Sequence, residues 1–486
     1  PLGRGECFVT AAVCGNIVGH GCALGYPAVL LPLLQAPGAL LAVDSAQASW
    51  IASAMALPML VGNFASPALM ERLGRRAAHL TAAVPILAGW LCIILMVFIG
   101  RVLHGLSFGL FLPLRSVLIG EYTSPKNRGA FLTMISLAQS FGIFFAHLVG
   151  SFISWQRTAL ICMSFSFISL CMTIYSPESP SYLAAKGDYD KCRSVFRWLR
   201  GDTEEEELEA MIFAQQISRK TEVTTRKRNL KDITTTVRKK EFFKPIVLMV
   251  HAYAMVEFAG GTTMASYSTV IIGLILGKSA NVYFWMIALD GQRIISNTIA
   301  VYVINKCRRR VMMFSIGSLS VATHLGIAAY VYSKLQGYTL PSWIADHEIW
   351  IPAFLINLHF FTVATGMVPL PSVIAGEVFP LEYRSIGGSI SIISVASTTF
   401  LVLKTFPGLV EGVGLDGTYL LYSIIIFYFL LVMWLFLPET KGKTLQQIED
   451  EFRGRPLKPE EAEIRRSLQL DPRKMSVISV HSMVFT

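Results

Sequence analysis

Apolar segments of about 20 residues recur along this chain, and very few folds can accommodate such a series. A helix rises about 1.5 Å per residue, so a segment of that length matches a bilayer hydrocarbon layer about 30 Å thick. About twelve such segments are read, near 9-31, 47-69, 77-98, 101-121, 131-153, 157-176, 243-273, 281-304, 311-332, 350-376, 385-407 and 417-437. Backbone amides and carbonyls find no water in lipid, so each segment must pair its own polar groups as a helix. Of 486 residues 53% are hydrophobic and only 15% charged, and the mean hydropathy is +0.53. An ordinary soluble domain is excluded, and the expected class is an all-α membrane protein.

The formal charge of +10 would suit a nucleic-acid partner, but its distribution argues otherwise. Basic residues gather on alternate connections: Arg72, Arg75 and Arg76; Lys126 and Arg128; the stretch 177-242; Lys306 to Arg310; and the tail after Lys441. That alternation is the positive-inside pattern. It places these connections and both termini on the cytoplasmic side of a cell membrane, with the lipid bilayer rather than nucleic acid as partner. The eight cysteines fall in spans or in cytoplasmic segments, so free thiols are expected. The first apolar run is long enough to span and lacks a small-residue cleavage site, so it is not read as a signal peptide. The chain begins at Pro1 rather than Met, and a native N-terminal piece is expected to precede it.

The segment from Gly100 to Gly129 sets Gly105 and Gly109 four apart on an apolar helix, where small residues let another helix approach closely. Arg101 stands at one end of that helix and Glu121 and Arg128 at the other. The first span carries Gly19, Gly21, Gly25, Pro27 and Pro32, the interruptions of a helix that lines a path or is kinked for packing.

The second half repeats the first. MERLGRR (Met70 to Arg76), Glu121 with Arg128 seven positions later, and PESP (Pro177 to Pro180) are followed by NKCRRR (Asn305 to Arg310), Glu377 with Arg384 seven later, and PET (Pro438 to Thr440). Corresponding residues lie 234, 256 and 261 positions apart in the same order, which predicts six spans plus six in parallel, a transporter architecture. The expected divisions are a first bundle 1-176, a linker 177-242, a second bundle 243-437 and a cytoplasmic tail 438-486. The linker pieces DYDKCRSVFRWLRG and EEEELEAMIFAQQIS read as short surface helices. Glu204 to Glu207 suit a helix start, and Arg226 to Arg228 are a solvated or lipid-touching basic run.

With GxALGY (Gly21 to Tyr26), QASWIAS (Gln47 to Ser53), PESPSYL (Pro177 to Leu183), GEVFPLEYRS (Gly376 to Ser385) and LPETKGKTL (Leu437 to Leu445), the chain resembles the sugar porters of the major facilitator superfamily. Within them it is similar to the insect trehalose-transporter-like branch. The resemblance implies the major facilitator fold, twelve transmembrane helices in two six-helix bundles around a midplane site that opens alternately to either side. It also implies that Glu71, Arg75, Arg76, Glu121, Arg128, Glu178, Arg309, Glu377, Arg384 and Glu439 latch the inner side shut in the outward-open state; the alternative is a set of static topology anchors. Asn305 and Arg308 depart from the family pattern, weakening the second-half side of the latch.

For the solute, the resemblance puts a sugar-binding glutamine at Gln139 and an aromatic wall at Tyr267. Elsewhere the hexose-contacting set is replaced: Val256 and Glu257 stand for a paired glutamine, Thr262 for an asparagine, Ser372 for a tryptophan, Val395 and Ala396 for an Asn-Trp pair, and Arg293 for a polar asparagine. The candidate solute-binding set is therefore Gln139, Glu257, Thr262, Tyr267, Arg293 and Ser372. Four ionisable residues, Glu257, Asp290, Arg293 and Arg115, lie within spans, where a functional role is the default reading. Asp290 and Arg293 are three apart and able to pair; Arg115 is read as snorkelling; Glu257 is read as holding a cation, a hydroxyl or a proton, or as neutralising Arg293.

Proton symporters of the family pair an acid on the first span with the arginine that begins the fourth. Here Arg101 is present but the first span has no acid, so uniport is expected, and His20 is read as a packed, hydrogen-bonded residue. Metal-ligand spacing, a nucleophile elbow and a phosphate loop are all missing from the sequence, so no metal, cofactor or enzymatic reaction is read. The resulting expectation is a facilitative carrier for trehalose or another sugar, against a diverged porter for a charged or non-sugar solute and a non-transporting membrane sensor.

Overall fold

A computed structural model of the protein describes residues 3–39, 41–201, 204–221, 240–277, 280–337, 349–379, 384–443 and 445–454, and these form helices with no strand among them. The basic run Arg226 to Arg228, the tail beyond 454 and the side chains of Arg128, Asn305 and Arg384 lie outside what is described.

The first crossing is α1 (Arg4–Leu34). The second is made of α2 (Ser45–Ser53) and α3 (Ala56–Leu73). Its start is fixed by Asp44, whose carboxylate accepts from the Gln47 amide at 2.6 Å while the Gln47 side chain accepts from the Asp44 amide at 3.2 Å. Gly74, at φ +95°, takes a backbone turn other residues avoid and starts α4 (Arg75–Leu95). The fourth to sixth crossings are α5 (Val97–Tyr122), α6 (Pro125–Gly150) and α7 (Trp155–Tyr175).

Three short helices follow outside the membrane: α8 (Pro180–Lys186), α9 (Tyr189–Arg200) and α10 (Glu205–Thr221). They mark one side of the molecule, called the connector face below. The two helices read from the linker sequence are α9 and α10.

The seventh crossing runs through α11 (Lys240–Phe258), breaks at Gly260 with φ +99°, and continues as α12 (Thr263–Ser266) and α13 (Ser268–Leu276). Then come α14 (Val282–Lys306) and α15 (Arg309–Leu335). The tenth crossing is α16 (Trp350–Thr362), a π-helical turn Val363–Met367 and α17 (Pro369–Val378). The segment α18 (Arg384–Phe436) is two helices that meet at the non-helical Gly414 and make the last two crossings, and α19 (Leu445–Arg453) ends the described chain.

Ten segments among the described residues are long and apolar enough to cross a bilayer. One of them, Gly387–Phe436, holds two crossings on either side of Gly414. The eighth crossing, α14, is long enough at 25 residues but is made more polar by Asp290, Gln292, Arg293 and Asn297. Together these account for the twelve spans read from the sequence.

The apolar cores divide unevenly. On the face opposite the connector, one cluster draws on both halves, with Leu30, Ile51 and Trp90 from the first and Tyr267, Ile271 and Phe406 from the second. Toward the connector face each half keeps its own core: Val117, Ile119 and Tyr122 in one, Met249, Ile374 and Met433 in the other. The halves are thus joined at the far face and separately packed near the connector.

Candidate functional site

Two charge clusters stand at the connector face, one per half, and they match residue for residue. In the first, Arg75 grips Glu121 with Nε at 3.1 and 3.0 Å from the two carboxylate oxygens and Nη2 at 2.8 Å, while Nη1 donates to the Met70 carbonyl at 3.3 Å. In the second, Arg309 donates to Glu377 through Nε at 3.2 Å and Nη2 at 3.0 Å, and through Nη1 to the Ile304 carbonyl. Ser179 donates to Glu121, as Thr440 does to Glu377. Such forked guanidinium–carboxylate pairs are stronger and more directional than point-charge contacts.

Glu178 and Glu439 act differently from the sequence expectation of further ionic partners. Glu178 accepts from the amides of Arg75 at 2.8 Å and Arg76 at 3.1 Å, and Glu439 from those of Arg309 at 3.0 Å and Arg310 at 3.2 Å. Each carboxylate therefore closes the open amide end of a helix, α4 or α15, where the helix dipole favours negative charge. Burial raises the Glu439 carboxyl, but the amides of Lys441, Arg309, Arg310 and Thr440 outweigh it and hold it below the ordinary carboxylate range. Arg76 and Arg310 complete the pattern by donating to the Ile174 and Trp434 carbonyls at the ends of the facing helices. Glu71 is exposed beside this cluster.

Each cluster is thus closed within one half; among the described residues no ion pair joins the two halves at the connector face. The cross-half hydrogen bonds run from mid-membrane to the far face. Asn297 Nδ2 donates to Ser140 Oγ at 2.6 Å, and Thr269 to the Ala28 carbonyl at 2.7 Å. Lys404 Nζ donates to Ser49 Oγ at 2.7 Å and lies 4.3 Å from the Trp50 ring centre.

The centrepiece of that seam is His147 of α6 against Asp290 of α14, Nδ1 to Oδ2 at 2.5 Å, with side chains 0% and 2% exposed. The other ring nitrogen, Nε2, faces the carbonyls of Gly25 at 2.9 Å and Ala265 at 3.2 Å. Both ring nitrogens meet oxygens. The expected Asp290–Arg293 pair is present as a long contact, Nη1 to Oδ1 at 4.0 Å, and what the sequence did not show is that the closer partner of Asp290 is His147.

The solute candidates divide between placements. Gln139 Oε1 accepts from Arg115 Nη1 at 3.2 Å, so Arg115 reaches into the molecule instead of snorkelling outward. Glu257 accepts from Thr262 Oγ1 at 2.5 Å across the break in the seventh crossing, and Arg293 Nη2 donates to the Gly261 carbonyl of the same break at 3.3 Å. Among the described residues Glu257 and Arg293 form no ion pair, so the expected neutralisation is replaced by a shared turn. Tyr267 is buried, stacked on Phe406 with its hydroxyl on the Leu403 carbonyl at 2.9 Å, and is part of the far-face core. Ser372 is exposed on α17 beside Tyr253.

Arg101, read from the sequence as a gating residue together with Glu121 and Arg128 on the same segment, does not stand with the connector-face clusters. It is buried toward the far end of α5, about 30 Å from Glu121 at 20 residues' separation. Its guanidinium donates to backbone carbonyls of Ala23, Ile51 and Ala52. His20 is packed as expected, bonded to Asn16 and at 3.0 Å to Ser107.

Residues 7–452 match the family described as sugar (and other) transporter. The chain belongs to this family. It is 27% identical over 414 residues to the facilitated trehalose transporter Tret1 of Bombyx mori, covering 84% of this chain and 79% of that one. Against Tret1 of Apis mellifera ligustica the figures are 26% over 415 residues, 84% and 80%. Trehalose transporter 1 of Drosophila melanogaster is 27% identical over 423 residues, but the chain spans only 47% of its length.

Among solved structures, the proton:xylose symporter XylE bound to 6-bromo-6-deoxy-D-glucose superposes with a TM-score of 0.66 at 18% identity, over 92% of this chain and 98% of that one. The inward-open conformation of the xylose transporter XylE from E. coli gives 0.70 at 17% identity, over 92% and 99%. The fold is that of the major facilitator superfamily, and the protein is a multi-pass membrane transporter, not an enzyme.

The connector-face clusters lie on the motifs by which the sequence resembles the family, whereas His147, Asp290 and Lys404 lie outside those motifs. Sequence reading missed His147 and Lys404. Their only signal was an ionisable side chain inside an apolar run, which names no partner.

Proposed function

We propose that the protein is a facilitative carbohydrate carrier of the cell membrane that works by alternating access, with trehalose the solute named for its relatives. The observation that carries this reading is the division of the cores: one shared core at the far face, two separate cores at the connector face. A molecule built this way exchanges one closed face for the other by rocking its halves about a midplane site. The positive-inside pattern supports a cytoplasmic connector face, with both termini on that side, so the described state is closed outward. In the opposite state Arg75, Glu121, Arg309 and Glu377, with Arg128, Arg384, Glu71 and Arg76, come close enough to latch the inner side. Such contacts need only bias a balance of a few kcal/mol.

Arg101 supports uniport. Three of its donors go to backbone carbonyls of the first and second crossings, and the one acid of α1, Glu6, stands at the opposite, connector-face end of that helix, where it accepts from the Ser124 amide at 2.6 Å.

Gln139, with Glu257, Thr262 and Arg293, is the proposed solute-contacting set, and Tyr267 and Ser372 stand at its margins. The reading is tested by counterflow in proteoliposomes with a panel of labelled carbohydrates that includes trehalose and glucose, with and without a pH gradient. Saturable flux of at least one, indifferent to the gradient and reduced at least tenfold in Gln139→Ala, is expected. Absence of flux for every carbohydrate overturns the carrier reading.

A further inference from the structure

Two guanidiniums approach the middle of the molecule from opposite halves; among the described residues Arg115 forms no ion pair, and Arg293 has only a long one, to Asp290 at 4.0 Å. Arg115 of α5 spends one N–H on Gln139 Oε1 at 3.2 Å and lies 6.0 Å from the Phe108 ring centre. Arg293 of α14 spends Nη2 on the Gly261 carbonyl at 3.3 Å and lies 6.0 Å from the Phe360 ring centre. Its Nη1 is buried without a hydrogen bond, and the nearest acid, Asp290 at 4.0 Å, is already held by His147 at 2.5 Å.

Arg115 and α14 meet adjacent residues of α6. Gln139, the partner of Arg115, is followed by Ser140, which accepts from Asn297 at 2.6 Å, and Asn297 is one helical turn along α14 from Arg293. A second acid within the spans, Glu257, accepts from Thr262 and is not paired with either arginine among the described residues. A guanidinium taken from water without a counter-ion is costly, and a planar fork of free N–H donors fits carboxylate or phosphate oxygens.

We propose that the carbohydrate carried is an anionic one. Its carboxylate or phosphate is taken between Arg115 and Arg293, and its hydroxyls by Gln139 and the Glu257–Thr262 pair. This rests on the carbohydrate-carrier reading and departs from its nominal neutral solute. The aromatic and amide set that would hold a neutral ring is replaced in the second half, and the charge that replaces it has a complement in the ligand.

The test uses the full chain in proteoliposomes with labelled glucuronate, glucose 6-phosphate, glucose and trehalose, read as uptake and as current on a supported membrane. Saturable, current-carrying uptake of glucuronate or of glucose 6-phosphate is expected, and which of the two is carried distinguishes carboxylate from phosphate. Arg293→Gln and Arg115→Gln are each expected to lower anion kcat/KM at least tenfold, and by a larger factor than they lower that of any neutral sugar, with Arg293→Lys restoring part of it. Neutral-sugar flux without anion flux overturns the proposal and leaves the carrier reading standing; no flux of any of the four overturns both. Because an arginine variant can fail to fold, the thermal shift of the unmodified protein is measured in parallel. Stabilisation by either anionic sugar above that by glucose, trehalose and sulfate supports the proposal; equal shifts with all five solutes count against it.

Discussion

With the proposed orientation, in which the connector face is cytoplasmic and the far face is the outer one, Asp290→Ala is expected to swing the protein from an outward-closed to an outward-open state. The pair it breaks joins α6 to α14 across the two halves, and both side chains are nearly fully buried. Removing one partner of a buried hydrogen bond leaves the other unsatisfied at a cost of about 1–3 kcal/mol, and more where that group is charged. That cost falls on the closed state alone. When the outer face opens the halves part, both groups gain water, and the loss of one no longer strands the other. A difference of about 3 kcal/mol in the balance between two states changes their ratio more than a hundredfold. The contacts that remain between the halves, the Thr269 bond to the Ala28 carbonyl, the shared apolar core, Lys404 on Ser49 and Trp50 against Phe400, supply no partner to the group left stranded. Pulsed spin-resonance distances between labels at the outer ends of α2 and α18 are expected to lengthen in Asp290→Ala and in His147→Gln. The double variant His147→Leu with Asp290→Leu, which fills the site without charge, is expected to return toward the closed distance. Unchanged distances in both single variants would show that the pair does not hold the outer face.

Much of this architecture was legible in the sequence because lipid makes polar residues conspicuous. Twelve apolar runs gave the crossings, and the repeated acid and arginine positions gave the duplication, since a charge at a helix end stands out against apolar neighbours. The break in the seventh crossing was readable from Gly260 and Gly261, and the close helix approach from Gly105 and Gly109. What could not be read was partner choice. Glu178 and Glu439 look like ion-pair acids in sequence, yet each caps a helix, because the open amides of α4 and α15 lie nearer than any free guanidinium. Arg101 looks like the partner of an acid and is satisfied by three carbonyls that the kinked first and second crossings expose. The eighth crossing, diluted by four polar residues, is the least apolar, and it carries the two side chains, Asp290 and Arg293, on which the midplane chemistry turns.

Gly109→Ala is expected to damage the fold more than any other single methyl added here. The helix α5 lies so close to α3 that a methyl on Gly109 would collide with the Met59 carbonyl oxygen, and one on Gly105 with that of Met55. Both obstacles are backbone, which cannot rotate aside as a side chain can, so α3 must move bodily. That movement would stretch the Ser66 Oγ bond to the Leu110 carbonyl, 2.8 Å long, and carry Met59 and its turn away from α5. Between membrane helices there is little hydrophobic force to restore the contact, because lipid tails are as apolar as the partner helix. Alanine's better helix propensity offers about 1 kcal/mol in return, whereas overpacking costs about 1–3 kcal/mol and more when backbone must shift. The control is Gly291→Ala on α14, where an added methyl meets nothing within 4 Å. Only the propensity gain remains there, so thermal stability in detergent should be unchanged or slightly higher. Gly109→Ala should lower it by several degrees, and the double Gly105→Ala, Gly109→Ala further still. Equal melting temperatures for Gly109→Ala and Gly291→Ala would mean that α3 and α5 tolerate separation, and that the outer groups hung from them, Arg101 among its three carbonyls included, do not depend on their close approach.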